Sequence, residues 1–278
     1  MRGESMRVAI SSDNHLDVNK LDSAEILKMQ ADYLLNEKID IYLIAGDLFN
    51  DFEKSLAYVR KLQELVGLGM LVRFIAGNHD MARGISFDEL ESPVDELYLH
   101  NQSLDIPGTN WQIIGNNGWY DYRFAEGVEP ERVASFRRNL YFDRQIKQPM
   151  TDIERTDLVL KQIGNLLDKS HQEQKQVLFF THFAPIGDDI MYPKNDARWA
   201  LVNGIMGSPR TGNLIEQYPN VQNVYYGHMH ISAPVRQHQQ VAYYNPSVGY
   251  NRRRLKEWTQ ETFMATWIDK LAIKVLTN

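Results

Sequence analysis

The chain has 278 residues, 43% of them hydrophobic and 24% charged, with a formal net charge of −6 and no cysteine. That length supports one large domain or two small ones, with an interior that can enclose a dry site, and the composition is that of an ordinary globular protein rather than a disordered or fibrous one. Without cysteine neither a disulfide framework nor a thiolate metal site is possible, so any bound metal must take nitrogen and oxygen ligands.

In chain order, residues 8–11, 39–45 and 71–76 are short apolar runs rich in β-branched residues, the pattern of strands buried on both faces. Between them, Ile26, Met29, Tyr33 and Leu34 recur at helical spacing behind Asp22 or Ser23 as a cap, and Leu56, Val59, Leu62 and Val66 repeat the pattern before Gly67 and Gly69 stop it. The first third therefore predicts β-α-β-α-β and a right-handed parallel sheet. Beyond residue 95 the expected strands are 111–114, 177–180, 224–226 and 241–244, with a final β region over 263–275. Residues 119–147 form an irregular aromatic and arginine-rich segment, too polar for core, expected as a surface excursion with some helix near 130–140 or as a lid. No repeat or low-complexity tract divides the chain, so a single domain over 1–278 is expected.

The opening MRGESMRVAISS lacks the apolar core and cleavage site of a secretory signal, and no run approaches the roughly 18 apolar residues of a membrane span. A cytoplasmic location is the expectation. The acidic balance argues against extended binding to phosphate backbones, although Arg252, Arg253 and Arg254 form a local basic run.

The apolar runs share one property: each ends in side chains that can hold metals. Residues 8–11 lead to Asp13 and His15, 39–45 to Gly46-Asp47, 71–76 to Gly77-Asn78-His79-Asp80, 177–180 to Thr181-His182, and 224–226 to Gly227-His228-Met229-His230. Carboxyl ends of strands in α/β sheets line the crevice where ligands bind, so five such ends converge on one place. If the segments are extended, residues two apart point the same way, and Asp13 with His15, or His228 with His230, act as pincers. Taken singly, a D-x-H or G-D dipeptide is more often a turn or a helix cap. Five blocks in one chain, each after an apolar run, outweigh that reading. The donor count suits two divalent ions, which in such centres lie about 3.5–4 Å apart.

Together D13-x-H15, G46-D47, G77-N78-H79-D80, T181-H182 and G227-H228-x-H230 resemble the full motif set of the calcineurin-like metallophosphoesterase superfamily, over most of the chain. The resemblance implies an α/β fold in four layers, α/β/β/α, built on two mixed β-sheets. It implies one metal on Asp13, His15, Asp47 and His230, and a second on Asp47, Asn78, His182 and His228, with Asp47 bridging. It further implies a metal-bridging hydroxide as nucleophile, His79 as the catalytic group beside the leaving oxygen, and Asp80 as the residue that orients His79. Manganese, iron, zinc and cobalt all accept such donors, manganese being favoured.

The expected activity is hydrolysis of a small-molecule phosphodiester or nucleotide-type phosphoester, because GNHD with its histidine resembles the diesterase and nuclease branches. A nuclease, a phosphomonoesterase and a non-catalytic scaffold like the superfamily's retromer subunit are the alternatives. Asn245, in a Y-N-P-S turn, is expected to be structural. Arg83, Arg123, Arg198 and Arg210 are the side chains whose guanidinium groups could pair with a substrate phosphate. Nothing in the sequence sets an oligomeric state.

Overall fold

The computed structural model describes residues 5–190, 196–252 and 256–277. Its strands are β1 (Met6–Ser11), β2 (Ile41–Ala45), β3 (Leu71–Ile75), β4 (Gln102–Asp105), β5 (Trp111–Gly115), β6 (Gln176–Phe180), β7 (Val221–Tyr225), β8 (Arg236–His238), β9 (Val241–Tyr244) and β10 (Ala272–Leu276). Its α-helices are α1 (Ser23–Asn36), α2 (Phe52–Val66), α3 (Phe87–Leu90), α4 (Pro130–Asn139), α5 (Asp152–Gln172), α6 (Ala197–Asn203), α7 (Pro209–Ile215) and α8 (Phe263–Lys270). The strands form a four-stranded sheet, β10-β1-β2-β3, and a six-stranded sheet, β4-β5-β6-β7-β9-β8. In the first, β1, β2 and β3 are parallel and β10 is antiparallel to β1; in the second, β5, β6, β7 and β9 are parallel, with antiparallel β4 and β8 at the edges.

Strand alternation explains the layering. Val8 and Ile10 on β1, Leu43 on β2, Ile113 on β5 and Leu178 and Phe180 on β6 belong to one buried cluster, the seam between the two sheets. Their neighbours Ala9, Tyr42, Ile44, Ile114 and Phe179 point the other way, into a second cluster under the helices. α1, α2 and α8 cover the first sheet and α5 and α7 the second, completing four layers, α/β/β/α. Both faces of the central strands are buried, which is why they read as continuous apolar runs.

The expected β region over 263–275 is corrected. Phe263, Met264 and Trp267 are buried at helical spacing behind the Thr262 cap, so α8 forms first and only β10 returns to the sheet. The aromatic segment 119–147 is corrected too: Trp119, Tyr120, Tyr122, Phe124, Val133, Phe136 and Ile146 are core, and Asp121, Arg137 and Asp143 are buried with them. Its tyrosine and tryptophan polar tips find partners, Trp119 Nε1 donating to Asp152 at 2.9 Å and Tyr122 to the same carboxylate. Of the basic run, Arg252 is described and sits over the Tyr250 ring at 4.7 Å, whereas Arg253 and Arg254 lie outside the described residues. No helix among the described residues is long and apolar enough to cross a membrane.

Register decides where the site falls. Ser11 pairs with Ile44 and Ala45 with Ile75 in the first sheet, while Gly115 pairs with Phe180 and Phe180 with Tyr225 in the second, so the parallel strands end level with one another. The loops that follow are stitched across the sheets. Ser12 N donates to Pro246 O at 3.2 Å and Val248 N to Ser12 O at 2.9 Å, joining the end of β1 to the turn after β9. Asn245 Nδ2 donates to Gly227 O at 3.3 Å, giving that asparagine the structural role expected of it.

Candidate metal centre

Five loops leave these level strand ends, and each brings a donor group to a common point. Oxygen and nitrogen atoms of Asp13, His15, Asp47 and His230 lie within 4.8 Å of one another, as do those of Asp47, His182 and His228. Asn78 joins the second group, its Oδ1 3.1 Å from His182 Nε2. Asp47 belongs to both: its Oδ2 is 3.6 Å from His15 Nε2 and 3.4 Å from His182 Nε2. The structure thus brings together all seven side chains expected to hold metal.

The backbone that does this is not extended, which corrects the pincer geometry. Asp13 (φ 56°), His15 (φ 43°), Asp47 (φ 59°), His228 (φ 66°) and His230 (φ 48°) all adopt left-handed conformations. Each costs on the order of 1 kcal/mol or more outside glycine, and such costs persist where the surroundings over-determine the chain. Here Asp13 N donates to Gly46 O at 3.0 Å, His15 N to Asp47 O at 2.9 Å, and Gly227 N to His182 O at 2.9 Å. Turning sharply at the strand end, rather than running straight, lets both members of each pair face one cavity.

Two glycines are needed for close approach. A Cβ on Gly77 would lie 2.1 Å from Asp47 Oδ1, and one on Gly227 would lie 2.1 Å from Ser12 Oγ and 2.6 Å from Asp13 Oδ2. Any side chain at either position would displace a carboxylate of the centre.

Surrounding acceptors choose which ring nitrogen faces inward, because a carbonyl can only accept. His182 Nδ1 donates to Ala45 O at 2.8 Å, leaving Nε2 toward Asp47 and Asn78. His228 Nε2 donates to Ile205 O at 3.2 Å, leaving Nδ1. His230 Nδ1 donates to Glu257 at 2.9 Å, leaving Nε2 3.0 Å from Asp13 Oδ1 and 2.9 Å from His15 Nε2. Asp47 Oδ2, though buried, has no hydrogen-bond partner among the described residues. A buried carboxylate oxygen without a donor, facing imidazole nitrogens whose other ring nitrogens are committed to outer acceptors, is the arrangement a cation completes. The donor set fits divalent ions of the nitrogen- and oxygen-loving kind.

In the metal-free protein, protons occupy part of that role. Burial works against charge at His182 and His230, yet Asp47 beside the first and Asp13 and Glu257 beside the second push them up to about 9 and about 10. Burial depresses His228 to about 3, with the His182 charge adding to it. Burial also resists ionisation of Asp13 and Asp47, but the adjoining imidazoles hold both well below the usual carboxylate range. A cation must displace the protons on His182 and His230. Loading the metal-free protein at pH 7.5 is therefore expected to release about two protons, with apparent affinity rising as pH approaches 9. Calorimetry in buffers of different ionisation enthalpy measures this; heats that do not depend on the buffer would contradict it.

Asp80 does not contact the His79 ring, contrary to the role expected for it. Its carboxylate accepts from Asp47 N at 2.6 Å, Leu48 N at 3.1 Å, Gly77 N at 2.9 Å and Ser55 Oγ at 2.5 Å, fastening the loop after β2 to the loop after β3. Burial and the Asp47 charge push it up to about 7 against those hydrogen bonds. Removing it strands several buried donors, each worth about 1–3 kcal/mol when left unmade. Asp80→Ala is expected to lower unfolding free energy by more than about 3 kcal/mol, measured by urea denaturation in EDTA so that metal loss does not contribute.

The His79 ring is held instead by residues without a local sequence signal. Nδ1 donates to Asn50 Oδ1 at 2.5 Å, Nε2 lies 3.1 Å from the Tyr250 hydroxyl, and Phe142 stacks on the ring at 4.0 Å and 14°. His79 N also donates to Asp47 Oδ1 at 2.8 Å, so the ring's distance from the carboxylate shared by both donor groups is fixed by one peptide. Asn50 follows Asp47 by three residues and is the one partner a sequence reader might place nearby; Phe142, Tyr250 and Glu257 come from distant segments. The arginines offer less. Arg123 pairs with Asp121 at 3.2 Å and Arg210 with Asp157 at 2.7 Å, Arg83 donates to Gln145 at 3.3 Å, and Arg198 lies exposed on α6.

Among solved structures the chain is similar to a dimetal phosphatase from Danio rerio, at 16% identity and TM-score 0.50 over 86% of each chain. It is also similar to GAP50, the anchor in the inner membrane complex of Plasmodium (14% identity, TM-score 0.44, 88% of this chain and 72% of that one). A third match is the sulfate thiohydrolase SoxB of Thermus thermophilus (12% identity, TM-score 0.44, 98% of this chain and 56% of that one). The first speaks for the fold alone, and the other two add nothing to it. A family model described as calcineurin-like phosphoesterase matches residues 6–232, a span that runs from β1 through every donor loop to His230. The chain belongs to the calcineurin-like phosphoesterase family and is a hydrolase of phosphoric esters that works with divalent metal.

Proposed function

We propose that this hydrolase cleaves phosphodiester bonds in small, nucleotide-type molecules, using one divalent cation held by Asp13, His15, Asp47 and His230 and a second held by Asp47, Asn78, His182 and His228. Manganese is the favoured ion. The observation that carries the reading is His79: a half-buried imidazole tied to the Asp47 carboxylate through its own peptide, with Nδ1 on Asn50 and Nε2 3.1 Å from the Tyr250 hydroxyl. When bound, the cations supply Lewis-acid charge for the phosphoryl oxygens and lower the pKa of water from 15.7 to about 7.

The rest falls to the chain. A diester's departing alkoxide needs a proton, and a positioned acid supplies ~10²–10⁴-fold in rate. Because Nδ1–H is committed to Asn50, any proton delivered by His79 leaves from Nε2, the nitrogen that Tyr250 also contacts. Burial lowers His79 below its ordinary value while Asp47 pulls the other way, so the ring gives up its proton readily. Asp47, Asp13 and the imidazoles are fixed before substrate arrives, which spares reorganisation during the reaction. A small substrate suits the net charge of −6, and Arg123 and Arg210 are held by carboxylates rather than free to grip a phosphate backbone.

The test is side-by-side kinetics on bis-p-nitrophenyl phosphate and p-nitrophenyl phosphate with manganese-loaded protein. A higher kcat/KM for the diester supports the reading; a preference for the monoester reassigns the protein to phosphomonoesters.

A further inference from the structure

The segment between β5 and α5 reaches the centre at two adjacent residues. Phe142 stacks on His79, and Asp143 Oδ1 accepts from Asn78 Nδ2 at 2.8 Å. Asp143 is fully buried and is itself held: Tyr120 OH donates to its Oδ2 at 2.9 Å, and Arg137 Nε donates to the Tyr120 oxygen at 3.1 Å. Arg137 is in turn anchored to Ile146 O at 3.4 Å.

Asn78 has two chemically different ends on one soft torsion. The side-chain amide rotates through a broad, roughly two-fold potential, so its own conformational energy hardly distinguishes oxygen-inward from nitrogen-inward. Only the oxygen has lone pairs for a cation; the NH2 group donates and does not coordinate. An ionised carboxylate accepts and cannot donate, so Asp143 favours the orientation that turns Nδ2 outward and leaves Oδ1 beside His182 Nε2 at 3.1 Å. We propose that Asp143, backed by Tyr120 and Arg137, is a positioning residue that fixes Asn78 as an oxygen donor and so sets the affinity of the site formed by Asp47, Asn78, His182 and His228. The aromatic segment 119–147 then acts as a brace for half of the centre. This rests on the two-cation reading above.

Manganese binding to metal-stripped protein, by calorimetry and by the electron paramagnetic resonance of free Mn²⁺, tests it without recourse to turnover. Wild-type protein is expected to take up two ions. Asp143→Ala is expected to weaken one of them by about 10–100-fold, the usual effect of losing a residue behind a metal ligand, and to leave the other within about threefold. Asp143→Asn, which keeps an acceptor oxygen in place, is expected to recover most of the loss. Should Asp143→Ala fail to fold, Tyr120→Phe removes one hydroxyl and is expected to weaken the same ion several-fold. Folded variants that bind two ions with wild-type affinities would overturn the role of Asp143. Wild-type protein that takes up fewer than two ions would instead overturn the two-cation reading, so the two failures are distinct.

Discussion

Asp47→Asn is expected to lower diester kcat/KM by more than about 10³-fold and to reduce metal content below two ions per chain. The substitution is nearly isosteric, and an asparagine oxygen can still accept from His79 N, the 2.8 Å bond that now goes to Oδ1. What disappears is charge at the one side chain common to both donor groups. Two divalent cations bring four positive charges to a centre whose anionic donors are Asp13 and Asp47, and the histidines and Asn78 contribute none. In a buried site that loss is felt at low effective dielectric, far more than on the surface. Loss of a single oxyanion donor costs enzymes about 10²–10³ in kcat, and on the proposed two-cation reading a carboxylate shared by both donor groups would support both the polarising charge and the activation of water, so the larger end of that scale is the floor. Metal analysis and steady-state kinetics on the same preparation check it; activity within tenfold of wild type would remove Asp47 from the centre.

His79→Ala is expected to reduce kcat by about 10²–10⁴-fold while leaving two ions bound. The ring makes no part of either donor group; it touches Asn50, Tyr250 and Phe142, and meets the His15 ring edge-on at 4.6 Å without a hydrogen bond to it. The deficit should depend on the leaving group. p-Nitrophenolate departs without a proton, whereas an aliphatic alkoxide does not, so the variant should lose most on poor leaving groups and least on nitrophenyl esters. A uniform loss across leaving groups would point to a binding role, and loss of metal would point to a structural one. Tyr250, in contact with the same nitrogen, enters here as a partner that must yield Nε2 to the substrate oxygen.

Much of the fold and the centre is legible in the sequence because both rest on local pattern. Buried parallel strands write themselves as apolar runs, and the donor residues sit two to five positions past their ends, where chain geometry has to put them. The details that escape depend on tertiary choice. The left-handed backbone at Asp13 and His15 carries no glycine to announce it. Over residues 263–275 apolar residues serve first as a helix face in α8 and then as strand β10, and Thr262 capping α8 is the local cue that separates them. α5 is unassigned in the sequence reading although Thr151 and Glu154 form a capping box, the strongest start signal the second half offers. Residues 119–147 mislead by composition: charged positions interleave with aromatic ones, and only the fold shows that the latter are core. Glu257 and Asp143 act on His230 and Asn78 from far along the chain, through contacts that no spacing rule encodes.

The centre itself is tested most directly by titrating metal-stripped protein with manganese while following bis-p-nitrophenyl phosphate hydrolysis. A two-ion centre sharing Asp47 predicts negligible turnover without metal and a rate that reaches its maximum only as the second equivalent binds. Hydrolysis by the stripped protein at the rate of the loaded one, or a maximum already reached at one equivalent, would contradict it.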